Sequence, residues 1–553
     1  MSDILTGPGG FFELTEADVL GVTMPVLKNR MASVRVLIET AANNFDTTEF
    51  VIVDDGRRFS FADHRNHAAA IADLLAREHG VAKGDRVAIF GANTPEWLFA
   101  FSAITALGAI AVAFNGWWTS DEAEHALALT EPSVIIGDDR RLERLTLGAD
   151  APPVVTFAGL ADHVTRIAAP GDVDLPSTPL DEDDPALIFF TSGTTGRPKG
   201  ALLGHRTIVG FPDALRLFGA EMLIASGADI PAPPVALVAS PLFHVSGLFA
   251  HVIQALVGGY KTVWTTGRFD PETVIRVTRE EGVTAWSGSS TQIYRLLEHP
   301  ALDTLDTTQL VRVSVGGSPT TPEMIRLQTE KLPHLAGRAS SGYGSTETGG
   351  IVSVATGPEL AAAANCVGRP LTTVSVRIAD DAGAELPDGE VGQVCVRSPL
   401  LMQRYWNDRE ATDAAFLADR WMITGDIGYL LDGKLHIAAR DRDLIIRGGE
   451  NVHPNEVEMR IEEHPSVLEV AVFGVDDLEY GQRSKAVVRC KPSSAPPLDA
   501  TSLQAFVGET LASYKVPDII EFTDDELPRN ATGKVLKDVL RTGAASPQVE
   551  PET

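Results

Sequence analysis

Residues Ala186–Gly200 read ALIFFTSGTTGRPKG, a buried-type strand running into ten residues dominated by hydroxyls, glycines and two cations. That composition suits an anion. Glycines let backbone N–H groups turn inward, Ser and Thr add donors, and Arg197 and Lys199 supply charge. The stretch therefore predicts a phosphate-binding loop at the end of a core strand. It is not a Walker loop, because counting five on from Gly193 or Gly196 finds Pro198 and Ala201 rather than the second Gly before Lys-Ser/Thr. The other glycine-rich string, GYGSTE at Gly342–Glu347, fails as a dinucleotide fingerprint, since Glu347 stands where the last Gly is needed.

Outward from that strand, short apolar runs recur between helical patterns: Arg86–Phe90, Ala109–Phe114, Ser133–Gly137, Val235–Ser240, Thr284–Trp286 and Val311–Val315. Strands alternating with helices imply crossover connections and an α/β fold with parallel sheets. Glu221–Pro234 ends in a proline-rich turn and reads as a surface excursion. After about residue 370, shorter β-like runs with turn signals at Asp388-Gly389 and Asp432-Gly433 predict a compact mixed or antiparallel unit. A smaller lobe follows from ARDRDLIIRGGEN, Ala439–Asn451. It should hold helices over Glu456–His464 and Leu503–Tyr514, strands over Val467–Gly474 and Ala486–Cys490, and a tail that frays from Gly543.

The 553 residues are 44% hydrophobic and 22% charged, an ordinary globular composition able to bury a large core. Lys plus Arg (46) against Asp plus Glu (75) leaves a net charge of −29, a far field that repels nucleic acid and anionic membrane. An anionic ligand then needs a local positive site. Cys366, Cys395 and Cys490 lie too far apart for a zinc knuckle and are too few for a disulfide framework, so a reducing cytoplasm is expected. The opening MSDILTGPGG lacks the basic and apolar regions of a signal peptide. Trp97–Phe114 is 18 residues without a charge, but it is rich in small residues, lacks basic flanks and divides at Gly108. We read it as a buried helix followed by the strand Ala109–Phe114, not a membrane span. Trp117-Trp118 reads as core or interface.

The loop at Ala186–Gly200 is the first of an ordered set: PLFHVSG (Pro241–Gly247), GGSP (Gly316–Pro319), GYGSTE (Gly342–Glu347), TGD (Thr424–Asp426), RDRD with GGEN (Arg440–Asn451) and PRNATGK (Pro528–Lys534). Each string is weak alone. Their order over about 350 residues closely resembles the adenylate-forming superfamily of acyl-CoA synthetases, luciferase and amino-acid-activating modules. The resemblance spans nearly the whole chain. It implies a large N-terminal domain of stacked sheets with helices and a small β-rich subdomain, residues 1–441. A small mobile α+β C-terminal domain, residues 442–553, would turn on a hinge at Arg442.

Members of that superfamily join a carboxylic acid to ATP, release pyrophosphate, and let a thiol displace AMP from the mixed anhydride. By position, Thr191, Ser192, Gly193, Thr194, Thr195 and Lys199 would hold phosphates. Gly342, Tyr343 and Gly344 would lie along one side of the adenine and Gly317, Ser318 and Pro319 along the other. Thr346 would donate to the α-phosphate, Glu347 would ligate Mg²⁺, and Asp426 and Arg440 would hold the ribose. Lys534 corresponds to the catalytic lysine. His244, Trp286, Ser287, Gly288, Gly316 and Gly342 would line the acyl pocket, and Gly448 and Gly449 the CoA tunnel. The chain departs from the pattern at Ser341 and Ala439, where many members have an amide side chain and Gly.

His244 stands where amino-acid-activating modules place an Asp to pair an ammonium, which an imidazole cannot do. The resemblance thus implies an AMP-forming acid–thiol ligase acting on a fatty, aryl or alicyclic acid with ATP, Mg²⁺ and CoA. Homodimerisation is a habit of the family. Rival readings pass the acyl group to a carrier protein or another acceptor, or make the chain a nucleotide-binding regulator without turnover. Retention of Lys534, Glu347 and the loop cations argues against the regulator.

Overall fold

The computed structural model describes residues 2–166, 173–191, 198–267, 269–315, 322–363, 365–380, 382–440, 443, 445–447, 450–477, 480–491, 498–530 and 534–542. Two mixed sheets form the larger part. One has seven strands in the order Arg404–Tyr405, Lys199–Gly204, Pro185–Thr191, Ile110–Ala113, Arg86–Phe90, Val134–Gly137 and Val154–Thr156. The other has six, in the order Arg312–Val315, Ala285–Gly288, Ala236–Val238, Thr262–Trp264, Glu49–Val53 and Arg58–Ser60. The inner strands of both run parallel, as the alternation with helices predicts. Antiparallel edges were not anticipated: Lys199–Gly204 turns straight back on Pro185–Thr191, and Arg58–Ser60 on Glu49–Val53.

A helical layer lies between the two sheets. One core cluster runs from Phe50, Val51 and Val53 of the six-stranded sheet to Val87, Ile89, Ala111 and Ala113 of the seven-stranded sheet, through Leu37, Ile71, Leu75, Phe99 and Phe101. The helix Pro95–Leu107 buries every residue except Glu96, and Gly108 caps it before the strand Ile110–Ala113. An element apolar all round belongs inside a core. Among the described residues no helix is long and apolar enough to cross a membrane. Trp118 is buried against Phe114 and Phe190, whereas Trp117 is exposed and meets Phe243 edge-on at 5.9 Å. The paired tryptophans therefore divide between core and surface.

The β-rich unit is a seven-stranded antiparallel sheet from Ser340–Tyr343 to Lys434–Arg440. A five-stranded sheet follows, built from Ile445–Arg447, Glu450–Val452, Val467–Asp477, Gly481–Cys490 and Ile519–Thr523, with its own core around Val457, Ile461, Val472 and Val488. Arg295 of the larger part reaches Glu526 of this lobe at 2.8 Å. Several expected bounds move, among them the strand expected over Ala486–Cys490, which begins at Gly481. The helix His205–Ser226 takes in the first half of the supposed excursion, and the last long helix is Ala500–Gly508, stopping short of Tyr514. The tail from residue 543 lies outside the described residues.

Three histidines are sealed in the larger part: His64, His205 and His251 are 1%, 0% and 6% exposed. Burial pulls His64 down to about 3 and His205 and His251 to about 4. All three are neutral in the fold, while the unfolded chain protonates them as pH falls through about 6.5. The stability this contributes is present above pH 6.5 and lost as pH falls toward 4, at up to about 1.4 kcal/mol per histidine per pH unit. The denaturant midpoint should thus fall between pH 7.5 and 5. A midpoint flat across that range would contradict the assignment.

Candidate active site

The glycine-rich motif begins and ends on two antiparallel strands. Thr191 ends the strand Pro185–Thr191 and lies opposite Lys199, which begins the returning strand. Ser192, Gly193, Thr194 and Thr195, with Arg197, lie outside the described residues. Lys199 sits 5.2 Å above the ring of Tyr405 and 3.9 Å from Asp408 Oδ2, so its ammonium is held at the mouth of the hairpin.

A second loop, Tyr343–Val352, is folded on itself. Tyr343 O accepts from Val352 N, Ser345 O from Gly350 N and Thr346 O from Gly349 N, while Ser345 and Thr348 exchange side-chain bonds. Thr346 and Glu347 are half-buried in this winding. The Thr346 hydroxyl has no partner among the described residues. Glu347 is tied twice to the segment that follows Leu400: its carbonyl accepts from Met402 N at 2.8 Å, and its Oε1 meets the Tyr405 hydroxyl at 3.1 Å.

The Tyr343 hydroxyl donates to Asp426 Oδ2 at 2.7 Å, joining motifs 83 residues apart. Asp426 is buried, its N–H bonds Thr424 Oγ1, and strand register sets Asp426 opposite Arg440. Gly342, exposed beside Ile351, and Gly344, tight against Gly350, complete this edge.

His244 begins the short helix Val245–Gly247, in a loop that Asn93 steadies through Ser240 O and Leu242 N. Its ring meets Phe243 at 4.8 Å, and its Nε2 is sealed from water without a partner among the described residues. Desolvation pulls the imidazole down to about 4, so it is neutral at pH 7. The loop lies beside the one that carries Glu347: a Cβ on Gly350 would come within 2.5 Å of Val245 Cγ1.

Trp286, Ser287 and Gly288, expected at the acyl pocket, fall on both faces of one strand, Ala285–Gly288. Trp286 is fully buried in the second core, where its indole N–H bonds Thr278 Oγ1 at 2.9 Å. Gly288 shares that face of the strand and is backed by Gln292. Alternation leaves Ser287 as the one of the three pointing the other way. Gly316, Gly317, Ser318, Pro319, Arg442, Gly448 and Gly449 lie outside the described residues.

Lys534 and Asn530 close a turn in the last lobe: Lys534 N donates to Asn530 Oδ1 at 2.9 Å, and Asn530 N to Lys534 O at 2.8 Å. No cluster of three or more His, Cys, Asp or Glu among the described residues could hold a metal by itself. Glu347 suits magnesium held mainly by substrate phosphates, because its Oε2 has no partner among the described residues. Sequence reasoning missed Tyr405 and Asp408. The run RYWND, Arg404–Asp408, carried the signal, but nothing local tied it to Glu347, 58 residues earlier.

The profile of the AMP-binding enzymes matches residues 38–406, and that of the AMP-binding enzyme C-terminal domain matches residues 456–534. The chain belongs to the AMP-binding enzyme family. Within it, the chain is 34% identical over 487 residues to a feruloyl-CoA synthase from Amycolatopsis sp, covering 88% of this chain and 94% of that one. It is 35% identical to a 3-[(3aS,4S,7aS)-7a-methyl-1,5-dioxo-octahydro-1H-inden-4-yl]propanoyl:CoA ligase of Mycobacterium tuberculosis, over 89% of this chain and 95% of that one. Among solved structures it matches ATP-bound MatB from Rhodopseudomonas palustris with a TM-score of 0.79 at 28% identity, over 92% of this chain and 99% of that one. As an AMP-binding enzyme it therefore keeps the family's architecture from end to end.

Proposed function

We propose that this AMP-binding enzyme is an AMP-forming acid–CoA ligase. A carboxylate oxygen of the acid attacks the α-phosphorus of ATP, the bond to the bridging oxygen breaks, and pyrophosphate leaves. The CoA sulfur then attacks the acyl carbon, and AMP departs with the anhydride oxygen. The observation that carries this reading is the meeting of Tyr343 with Asp426, next to the tightly wound loop that carries Thr346 and Glu347.

The chemistry brings two anions together and expels a third, so neutralisation and positioning dominate. In this reading Tyr343 lies on the adenine, Asp426 and Arg440 hold the ribose, and Thr346 donates to the α-phosphate. Thr191, the hydroxyls of the hairpin loop and Lys199 receive the β- and γ-phosphates. Magnesium, when bound at Glu347, would neutralise phosphate oxygens. The neutral His244 offers an N–H to the acid's carboxylate without pairing it into an inert ion pair. Lys534 bridges carboxylate and α-phosphate during adenylation. The C-terminal domain, 442–553, then turns about Arg442, and Gly448-Gly449 admits the thiol. The acid is fatty, aryl or alicyclic; relatives named for an aryl acid and for a bicyclic propanoate support that breadth. A cytoplasmic location fits the CoA requirement.

The test is pyrophosphate release from MgATP over short, medium, long, aryl and alicyclic acids, each with and without CoA. Acid-dependent release that turns over only with CoA is expected. Release indifferent to CoA would overturn the thiol half of the reading, and none across the panel would overturn it entirely.

A further inference from the structure

The segment 400–406 is stitched to both halves of the site. Met402 N bonds Glu347 O at 2.8 Å, Gln403 N bonds Leu202 O at 2.8 Å, and Trp406 N bonds Gly200 O at 2.7 Å. The strand Arg404–Tyr405 adds to the returning strand of the phosphate-loop hairpin, with Tyr405 opposite Ala201. Lys199, two residues before Ala201, points to the same face and is therefore the diagonal neighbour of Tyr405. One side chain thus touches two groups from different loops: its ring lies 5.2 Å under Lys199 Nζ, and its hydroxyl lies 3.1 Å from Glu347 Oε1.

The Tyr405 phenol is partly buried beside the Glu347 and Asp408 carboxylates. Its hydroxyl lies within hydrogen-bond distance of the Glu347 carboxylate, an acceptor only, so the phenol is the donor. A glutamate with one oxygen anchored loses most of the rotation that would otherwise be frozen on metal binding.

We propose that Tyr405 is the positioning residue that aligns Glu347 for a divalent cation, occupying Oε1 so that Oε2 faces the metal, while its ring seats Lys199 for the nucleotide phosphates. This rests on the reading of Glu347 as the magnesium ligand. It makes the phosphate-loop cation and the metal carboxylate one unit, joined through a single phenol.

The experiment uses the full-length protein and isothermal titration of ATP with Mg²⁺ and with EDTA. The ratio of the two dissociation constants reads how far metal strengthens ATP binding. Tyr405→Phe keeps the ring and loses only the hydroxyl, so it should lower that ratio about 10-fold and leave metal-free ATP affinity unchanged. In pyrophosphate-release assays its Mg²⁺ requirement should rise by a similar factor, with kcat recovered at saturating Mg²⁺. Glu347→Gln should lower the ratio as well, and the double variant should fall no further than Glu347→Gln alone. Tyr405→Ala should in addition weaken metal-free ATP binding, because Lys199 loses its seat. A wild-type ratio in Tyr405→Phe beside a collapsed ratio in Glu347→Gln would overturn the role of Tyr405. A wild-type ratio in Glu347→Gln would instead overturn the metal reading of Glu347. A melting temperature of Tyr405→Phe close to that of the parent separates either result from misfolding.

Discussion

Lys534→Ala is expected to lower acyl-adenylate formation by 10²- to 10³-fold while still converting a supplied acyl-adenylate and CoA to thioester. The turn that carries Lys534 is held by backbone and by Asn530, with the further bridge Arg529 to Val535, and none of these ties uses the lysine side chain. Those backbone bonds stay in place on truncation, and a melting temperature close to the parent's would show that the lobe remains folded. Losing one preorganised charge from a transition state of this kind costs roughly 3 to 4 kcal/mol, the scale of a deleted oxyanion donor. Pyrophosphate release and thioester formation from synthetic adenylate, measured side by side, give the answer. Equal loss in both half-reactions would remove Lys534 from its assigned role.

Gly349→Ala should be nearly as damaging, for a reason that is wholly structural. Gly349 has φ +74°, and a Cβ there would sit 2.1 Å from Leu400 O and 2.8 Å from Leu400 C. Leu400 is buried and its N–H is held by Ser398 Oγ, so the carbonyl cannot retreat. The left-handed conformation costs about 1 to 2 kcal/mol for an L residue, and the overlap about 1 to 3 more. The strain falls on the turn whose Gly349 N to Thr346 O bond holds Thr346 and Glu347 in place. A melting temperature lowered by several degrees and adenylation reduced about 100-fold are expected. Gly219→Ala is the control. It lies in the helix His205–Ser226 with open space at its Cβ, and should stabilise by about 0.5 to 1 kcal/mol with unchanged activity. Full activity in Gly349→Ala would mean that the loop does not depend on that close approach.

Local signals carried much of this molecule. Trp97–Phe114 was legible because a charge-free run broken by one glycine has few options other than a buried helix and strand. The strand that leads into the glycine-rich loop was legible from the apolar run Ala186–Phe190. The helix past Glu221 was not, because the residues through Ser226 tolerate helix and the stop is a single glycine, Gly227, rather than the prolines that follow. The direction of Trp286 was not legible, because family position marks a strand but not its faces; one residue of alternation sends the indole to Thr278 in the core.

By itself the sequence determined the α/β class and the separate terminal lobe, since composition and periodicity report what each segment must bury, while the order of its motifs pointed to the family through resemblance. Only the tertiary structure decided that Tyr343 meets Asp426, that Pro185–Thr191 pairs antiparallel with Lys199–Gly204, and that Tyr405 joins Lys199 to Glu347. Contacts between residues 58 or 83 positions apart depend on strand order, register and loop closure, which are settled by packing the whole chain and leave no trace in any local pattern.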